Sequence, residues 1–149
     1  MRIYIDTSVV GGYYDKEFAD ATIRLFKKVE RGEIVLVVSN LLEAELLRAP
    51  VQVRNHRDNY APKQIERVTL TKEATDLADH YIGEQVVGKT SRADCQHIAI
   101  ATLNKVDILV SWNFKHIVNL KRIGGYNSVN LKQGYMMLEI RTPKEIIDL

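Results

Sequence analysis

Short runs of branched apolar residues recur along the chain, separated by longer stretches in which apolar positions return every third or fourth residue. Residues 2–5, 34–38, 68–70, 108–110 and 138–140 read as strands, and the runs at 34–38 and 108–110 are continuous enough to be buried on both faces. Helical spacing covers residues 19–31, where Ile23, Phe26 and Val29 share a face and Gly32 is a stop. It returns at 41–48 and in a polar, basic segment from Pro50 to about Tyr60. Thr71 caps a helix running through Ala74, Leu77, Ala78 and Tyr81, and Ser91 opens another through Ile98, Ala101 and Leu103 to Asn104. Gly11 and Gly12 mark a loop, and the tail holds helical stretches at 117–122 and 128–133. This alternation predicts a three-layer α/β/α fold with a parallel sheet of about four or five strands. Ligands of such sheets bind beyond the carboxyl ends of the strands, where Asp6 and Asn113 fall.

Composition narrows the setting. One domain spanning residues 1–149, 46% hydrophobic and 27% charged, is the expectation for an ordinary globular chain. The single cysteine, Cys95, excludes an internal disulfide and reads as a buried apolar side chain in a reducing, cytoplasmic setting. No apolar run approaches the ~20 residues a bilayer needs, and Asp6 interrupts the apolar start too early for a secretory leader. A net charge of +2 does not by itself imply nucleic acid. Its distribution says more. No acid lies between Asp107 and Glu139, a stretch that carries Lys115, Lys121, Arg122 and Lys132. A second cluster, Arg48, Arg54, Arg57, Lys63 and Arg67, is diluted only by Asp58 and Glu66. Each cluster suits either a phosphate backbone or a solvated face.

Motif chemistry leaves one constellation. The chain has no GxxxxGK[ST] or GxGxxG loop, no CxxC pair, no HExxH and no GxSxG elbow, and His56, His80, His97 and His116 lack zinc spacing. What remains is a set of acid or amide positions at element ends: Asp6, Glu45, Asp94 and Asn113. Oxygen donors spread through a sequence but meeting in space suit a hard divalent cation such as Mg²⁺. Each position also has a structural reading. Asp6 fits a turn or cap, and Asp94 fits a capping box with Ser91. Glu43, three residues after Asn40, competes with Glu45, and helical periodicity does not choose between them. His97, one turn beyond Asp94, reads as a hydrogen-bonding neighbour of the site or as a helix-surface residue, and Trp112 as core packing.

Taken in order, these segments resemble a PIN domain, specifically the VapC-like toxin ribonucleases of prokaryotic toxin–antitoxin modules. Ile5-Asp6-Thr7-Ser8 resembles the first acidic motif, and Ser39 with Glu45 six residues later resembles the second, which selects Glu45 over Glu43. Ala93-Asp94-Cys95-Gln96-His97-Ile98-Ala99-Ile100-Ala101 resembles the third. At the fourth position many members carry an Asp, whereas this chain has Ser111-Trp112-Asn113, a sequence that resembles a branch of the superfamily.

The resemblance implies a Mg²⁺- or Mn²⁺-dependent endoribonuclease. Asp6, Glu45 and Asp94 would hold the metal, Asn113 would complete its shell, and Thr7, Ser111 and His97 would support it. Arg48, Arg54, Arg57, Lys115, Lys121, Arg122 and Lys132 would steer the RNA. An amide in place of an acid removes a negative charge, so one firmly held metal with a weaker second is expected. The resemblance also implies a homodimer and an antitoxin partner. Two other readings stay open: a non-catalytic PIN-like module that binds RNA or protein, and a different metal-dependent phosphohydrolase.

Overall fold

A computed structural model describes all 149 residues. In chain order the elements are β1 (Arg2–Ile5), α1 (Thr7–Gly12), α2 (Ala19–Glu30), β2 (Val35–Ser39), α3 (Asn40–Leu46), α4 (Val51–Arg54), β3 (Ile65–Val68), α5 (Lys72–Gly83), α6 (Arg92–Leu103), β4 (Ile108–Val110), α7 (Leu120–Lys132), β5 (Ile140–Arg141) and α8 (Pro143–Ile146). The five strands form one parallel sheet in the order β3-β2-β1-β4-β5.

Strand periodicity divides the interior in two. Ile3 and Ile5 of β1, Leu36 and Val38 of β2, and Ile108 and Val110 of β4 face one core, shared with α1, α2, α3 and α8. Tyr4, Val37, Leu109 and Ile140 face the other, shared with α5, α6 and α7. Alternate residues thus serve opposite layers, which is why the central strands are apolar throughout. Each fully buried Leu or Ile on these faces contributes about 1.5–3 kcal/mol. Helix α6 is buried almost all round, from Cys95 through Thr102.

The connections fix where a ligand can enter. From β1 the chain steps to β2 and β3 on one side, then crosses to β4 and β5 on the other. The reversal leaves a crevice beyond the carboxyl ends of β1 and β4, the topological switch point of an open α/β sheet.

The expected architecture is present, with local differences. The third and fifth strands lie at Ile65–Val68 and Ile140–Arg141 rather than at 68–70 and 138–140. Gly11 and Gly12 end a helix instead of forming a loop. A Cβ on Gly12 would meet Trp112 at 2.7 Å, so the residue is small to let the indole approach. The two predicted tail helices give way to α7, which runs through Gly124 and Gly125. Gly125 is again a close approach, 2.7 Å from Val86 Cγ1 to a would-be Cβ. No helix is long and apolar enough to cross a membrane.

Candidate functional site

Strand β1 delivers Asp6 directly into the switch point. Its Oδ1 accepts from Ser8 Oγ (2.6 Å) and its Oδ2 from Ser111 Oγ (2.8 Å), which bridges the ends of β1 and β4. The serines are themselves held: Ser8 Oγ accepts from the Trp112 N–H and Ser111 Oγ from the Asn113 N–H, both at 2.9 Å. Asp6 is only 4% exposed. Burial pushes its carboxyl above the usual range, and the nearby Asp94 charge adds to this against the opposing influence of His97, Ser8 and Ser111.

Glu45 lies in the last turn of α3, opposite Thr7 at the start of α1. Its Oε1 accepts from Thr7 Oγ1 (2.7 Å) and from His97 Nε2 (2.6 Å). Burial works against its charge, but the bonds from His97 and Thr7 outweigh it and hold the carboxyl below the ordinary glutamate value. Asp94 enters from the first turn of α6. Burial pushes its carboxyl up and the Glu45 charge reinforces this, while His116, His97 and Asn113 oppose it. The three acids therefore arrive from β1, α3 and α6, with the charge of Asp94 felt at Asp6 and that of Glu45 felt at Asp94.

Asn113 is oriented rather than free. Its Oδ1 accepts from the His116 N–H (2.9 Å), and its amide lies close enough to Asp94 to favour the charged carboxylate. Asn113 thus engages the site through Asp94. The oxygen that the sequence reading gave to a metal already has a backbone partner.

The donor set fits a hard divalent cation in kind: carboxylate and amide oxygens, two of the acids with suppressed acidity, and neither Asp6 nor Asp94 in a salt bridge. Its spacing is open, because no three acid, histidine or cysteine side chains converge to coordination distance. That arrangement suits Mg²⁺, which keeps several waters and is held through one or two carboxylates with substrate phosphate.

Other sequence readings find their places. His97, 2% exposed, reaches the site through Glu45 rather than lining a helix surface. Glu43 is no competitor, because its Oε1 pairs with Arg57 (2.7 Å) and Arg67 (2.9 Å), and Ser39, not Asn40, caps α3. Ser91 makes no capping bond and its hydroxyl has no partner. Trp112 packs in the core, stacked on Phe18 at 4.4 Å. Burial pushes the Cys95 thiol up to about 12, which keeps it inert. Of the basic residues, Arg57 pairs with Glu43, Lys132 with Glu84 (2.6 Å), and Arg122 with the Val86 carbonyl. Arg48, Arg54, Lys115 and Lys121 make no salt bridge. Tyr4 escaped the sequence reading because it sits within an apolar strand, yet its hydroxyl meets His97 Nδ1 at 2.6 Å. The Nδ1 of His116, which lies close enough to Asp94 to oppose its burial shift, is buried without a partner.

The sequence matches no family model and no curated protein. Solved structures do resemble the fold. A chain of the VapBC2 complex from Rickettsia felis, bound to a DNA fragment of its promoter, aligns over 95% of this chain and 98% of its own, with a TM-score of 0.60 and 16% identity. VapC20 from Mycobacterium tuberculosis, a toxin that cleaves the sarcin–ricin loop, aligns over 76% of this chain and 91% of its own, with a TM-score of 0.55 and 13% identity. The chain thus has a PIN-like fold, shared with VapC toxins over most of its length.

Proposed function

We propose that the protein is a Mg²⁺- or Mn²⁺-dependent endoribonuclease that hydrolyses RNA phosphodiester bonds, built as one PIN-like domain over residues 1–149. The observation that carries this reading is the approach of Asp6, Glu45 and Asp94 to the switch point from three elements, with the pKa of both aspartates raised by burial and neither in a salt bridge. Like charges gathered in a partly buried cleft oppose folding unless a counter-charge joins them. A chain that retains them there is organised around a cation and its substrate.

Asp6, Glu45 and Asp94 would hold the ion. When bound, it supplies charge neutralisation at the scissile phosphate and lowers the pKa of a water. The chain's own groups set the geometry. Ser8 and Ser111 fix the Asp6 carboxylate, Thr7 and His97 fix Oε1 of Glu45, and Asn113 supports Asp94 in its charged form. Arg48, Arg54, Lys115 and Lys121 are available to the RNA backbone, whereas Arg57, Arg122 and Lys132 would have to leave their present partners. The toxin reading adds a homodimer, an antitoxin partner and a cytoplasmic setting. It draws support from the VapBC2 complex and from VapC20 being a toxin that cleaves the sarcin–ricin loop.

The test is cleavage of total and structured RNA by purified protein with Mn²⁺, Mg²⁺ or EDTA, with Asp94→Asn as control. Cleavage that requires metal and vanishes in the variant supports the nuclease. The open spacing of the acids and the amide at position 113 favour one other reading, a module that binds RNA without cutting it. Equal inertness of both proteins with RNA binding retained would move that reading ahead.

A further inference from the structure

Ser39 is the last residue of β2 and the N-cap of α3, and its hydroxyl oxygen accepts from the Leu42 N–H at 3.1 Å. Its other partner is the Tyr4 hydroxyl, 2.7 Å away. The Leu42 N–H can only donate, and Tyr4 is the one acceptor the Ser39 hydroxyl meets, so the serine hydrogen goes to Tyr4. Tyr4 in turn passes its hydrogen to Nδ1 of His97 at 2.6 Å. With Nδ1 an acceptor, the imidazole hydrogen sits on Nε2 and is donated to Glu45 Oε1 at 2.6 Å. The opposite polarity would strand the Ser39 hydrogen in a site that is 1% exposed. Tyr4 and His97 are 0% and 2% exposed, so water does not offer an alternative. The chain of bonds begins at the first turn of α3 and returns to its last, by way of β1 and α6.

At its end, Oε1 of Glu45 takes both His97 and Thr7, while Oε2 meets no protein group. We propose that Tyr4 and His97 are positioning residues that clamp Oε1 of Glu45 and thereby present Oε2 to a divalent cation at the switch point. This inference rests on the metal-site reading above. Glutamate is a flexible ligand whose rotamers must be frozen on binding. A buried relay that freezes them beforehand lowers that cost, as outer-shell partners do at metal sites.

The experiment is Mn²⁺ binding by isothermal titration calorimetry to metal-stripped protein. It compares wild type, Glu45→Gln, His97→Ala, His97→Gln and Tyr4→Phe, each checked for folding by circular dichroism. Losing the outer-shell partner in His97→Ala is expected to weaken Mn²⁺ binding by about 10–100-fold. His97→Gln, whose amide nitrogen can reach the same Oε1, recovers part of the loss. Tyr4→Phe keeps the ring, removes only the hydroxyl, and weakens binding by a smaller factor; it also tests the relay if His97→Ala does not fold. Wild-type affinity in folded His97→Ala and Tyr4→Phe overturns the relay and leaves the metal site standing. Equal losses in His97→Gln and His97→Ala also overturn it, because packing rather than donation would then matter. If wild type and Glu45→Gln both fail to bind Mn²⁺, the relay falls together with the metal reading.

Discussion

Two histidines in this protein are equally buried, each 2% exposed, and they stand at the centres of two different regions. His56 bonds Tyr14 through Nδ1 and Tyr60 through Nε2, both at 2.9 Å, within a ring cluster that includes Tyr13 and Phe26. His97 bonds Tyr4 through one nitrogen and Glu45 through the other. The first network closes on two phenols and leads nowhere; the second ends on a carboxylate with one oxygen left over. Burial of a polar side chain is therefore compatible with pure packing or with site construction, and the open end of the network tells the two apart.

Substitutions should separate these regions. The largest effect is expected at the acids: Asp94→Asn should reduce RNA cleavage by more than the roughly 100-fold that losing an outer-shell partner costs. Folded His56→Leu should cleave at the wild-type rate in the same assay. Stability should sort the other way. His56→Ala leaves a hole among four aromatic rings and should lose about 2–5 kcal/mol in urea titrations, with Mn²⁺ affinity unchanged. Gly12→Ala forces the Trp112 indole aside and should cost about 1–3 kcal/mol by the same method. Tyr60→Phe removes a single hydroxyl from the closed network and should cost about 1 kcal/mol.

Acid should act on the two regions with opposite sign. Burial pushes His56 from 6.5 down to about 4, so the unfolded chain takes up a proton first as pH falls. Its contribution is whole above 6.5 and is lost as pH drops through about 4. Asp6 and Asp94 are raised from 3.8, so the folded chain holds their protons longer than the unfolded one. Their contribution is whole below 3.8 and is lost as pH rises through their folded values. Denaturation between pH 4 and 7 should show a shallower acid loss for folded His56→Leu than for wild type, and a steeper one for Asp94→Asn. Parallel profiles for all three would break the comparison.

Much of the frame was legible in the sequence, because buried parallel strands need unbroken β-branched runs and helices need their period. Gly11-Gly12 misled because it read as a loop, yet Gly12 is a close-packing position at the end of a helix, a property set by Trp112 far along the chain; Gly125, between the two predicted tail helices, is likewise small to admit Val86. Asp6, Glu45 and Asp94 were visible as acids beside apolar faces. The groups that hold them were less so. Tyr4 resembles any core aromatic, and no local pattern shows that its hydroxyl faces a histidine 93 residues away. The engagement of Arg57 and Arg67 by Glu43 was equally hidden, since it brings together α3, the segment before β3 and β3 itself, which pairs with the strand leading into α3.

The central claim, that the acids at the switch point are held together for a cation, is tested most directly by thermal melts of wild type and Asp94→Asn, each with and without Mn²⁺. The account predicts that Mn²⁺ raises the wild-type melting temperature by mass action. It predicts that metal-free Asp94→Asn melts above metal-free wild type, because a like charge has been removed, and that Mn²⁺ then adds little. A wild-type protein indifferent to Mn²⁺, with Asp94→Asn melting lower, would contradict it.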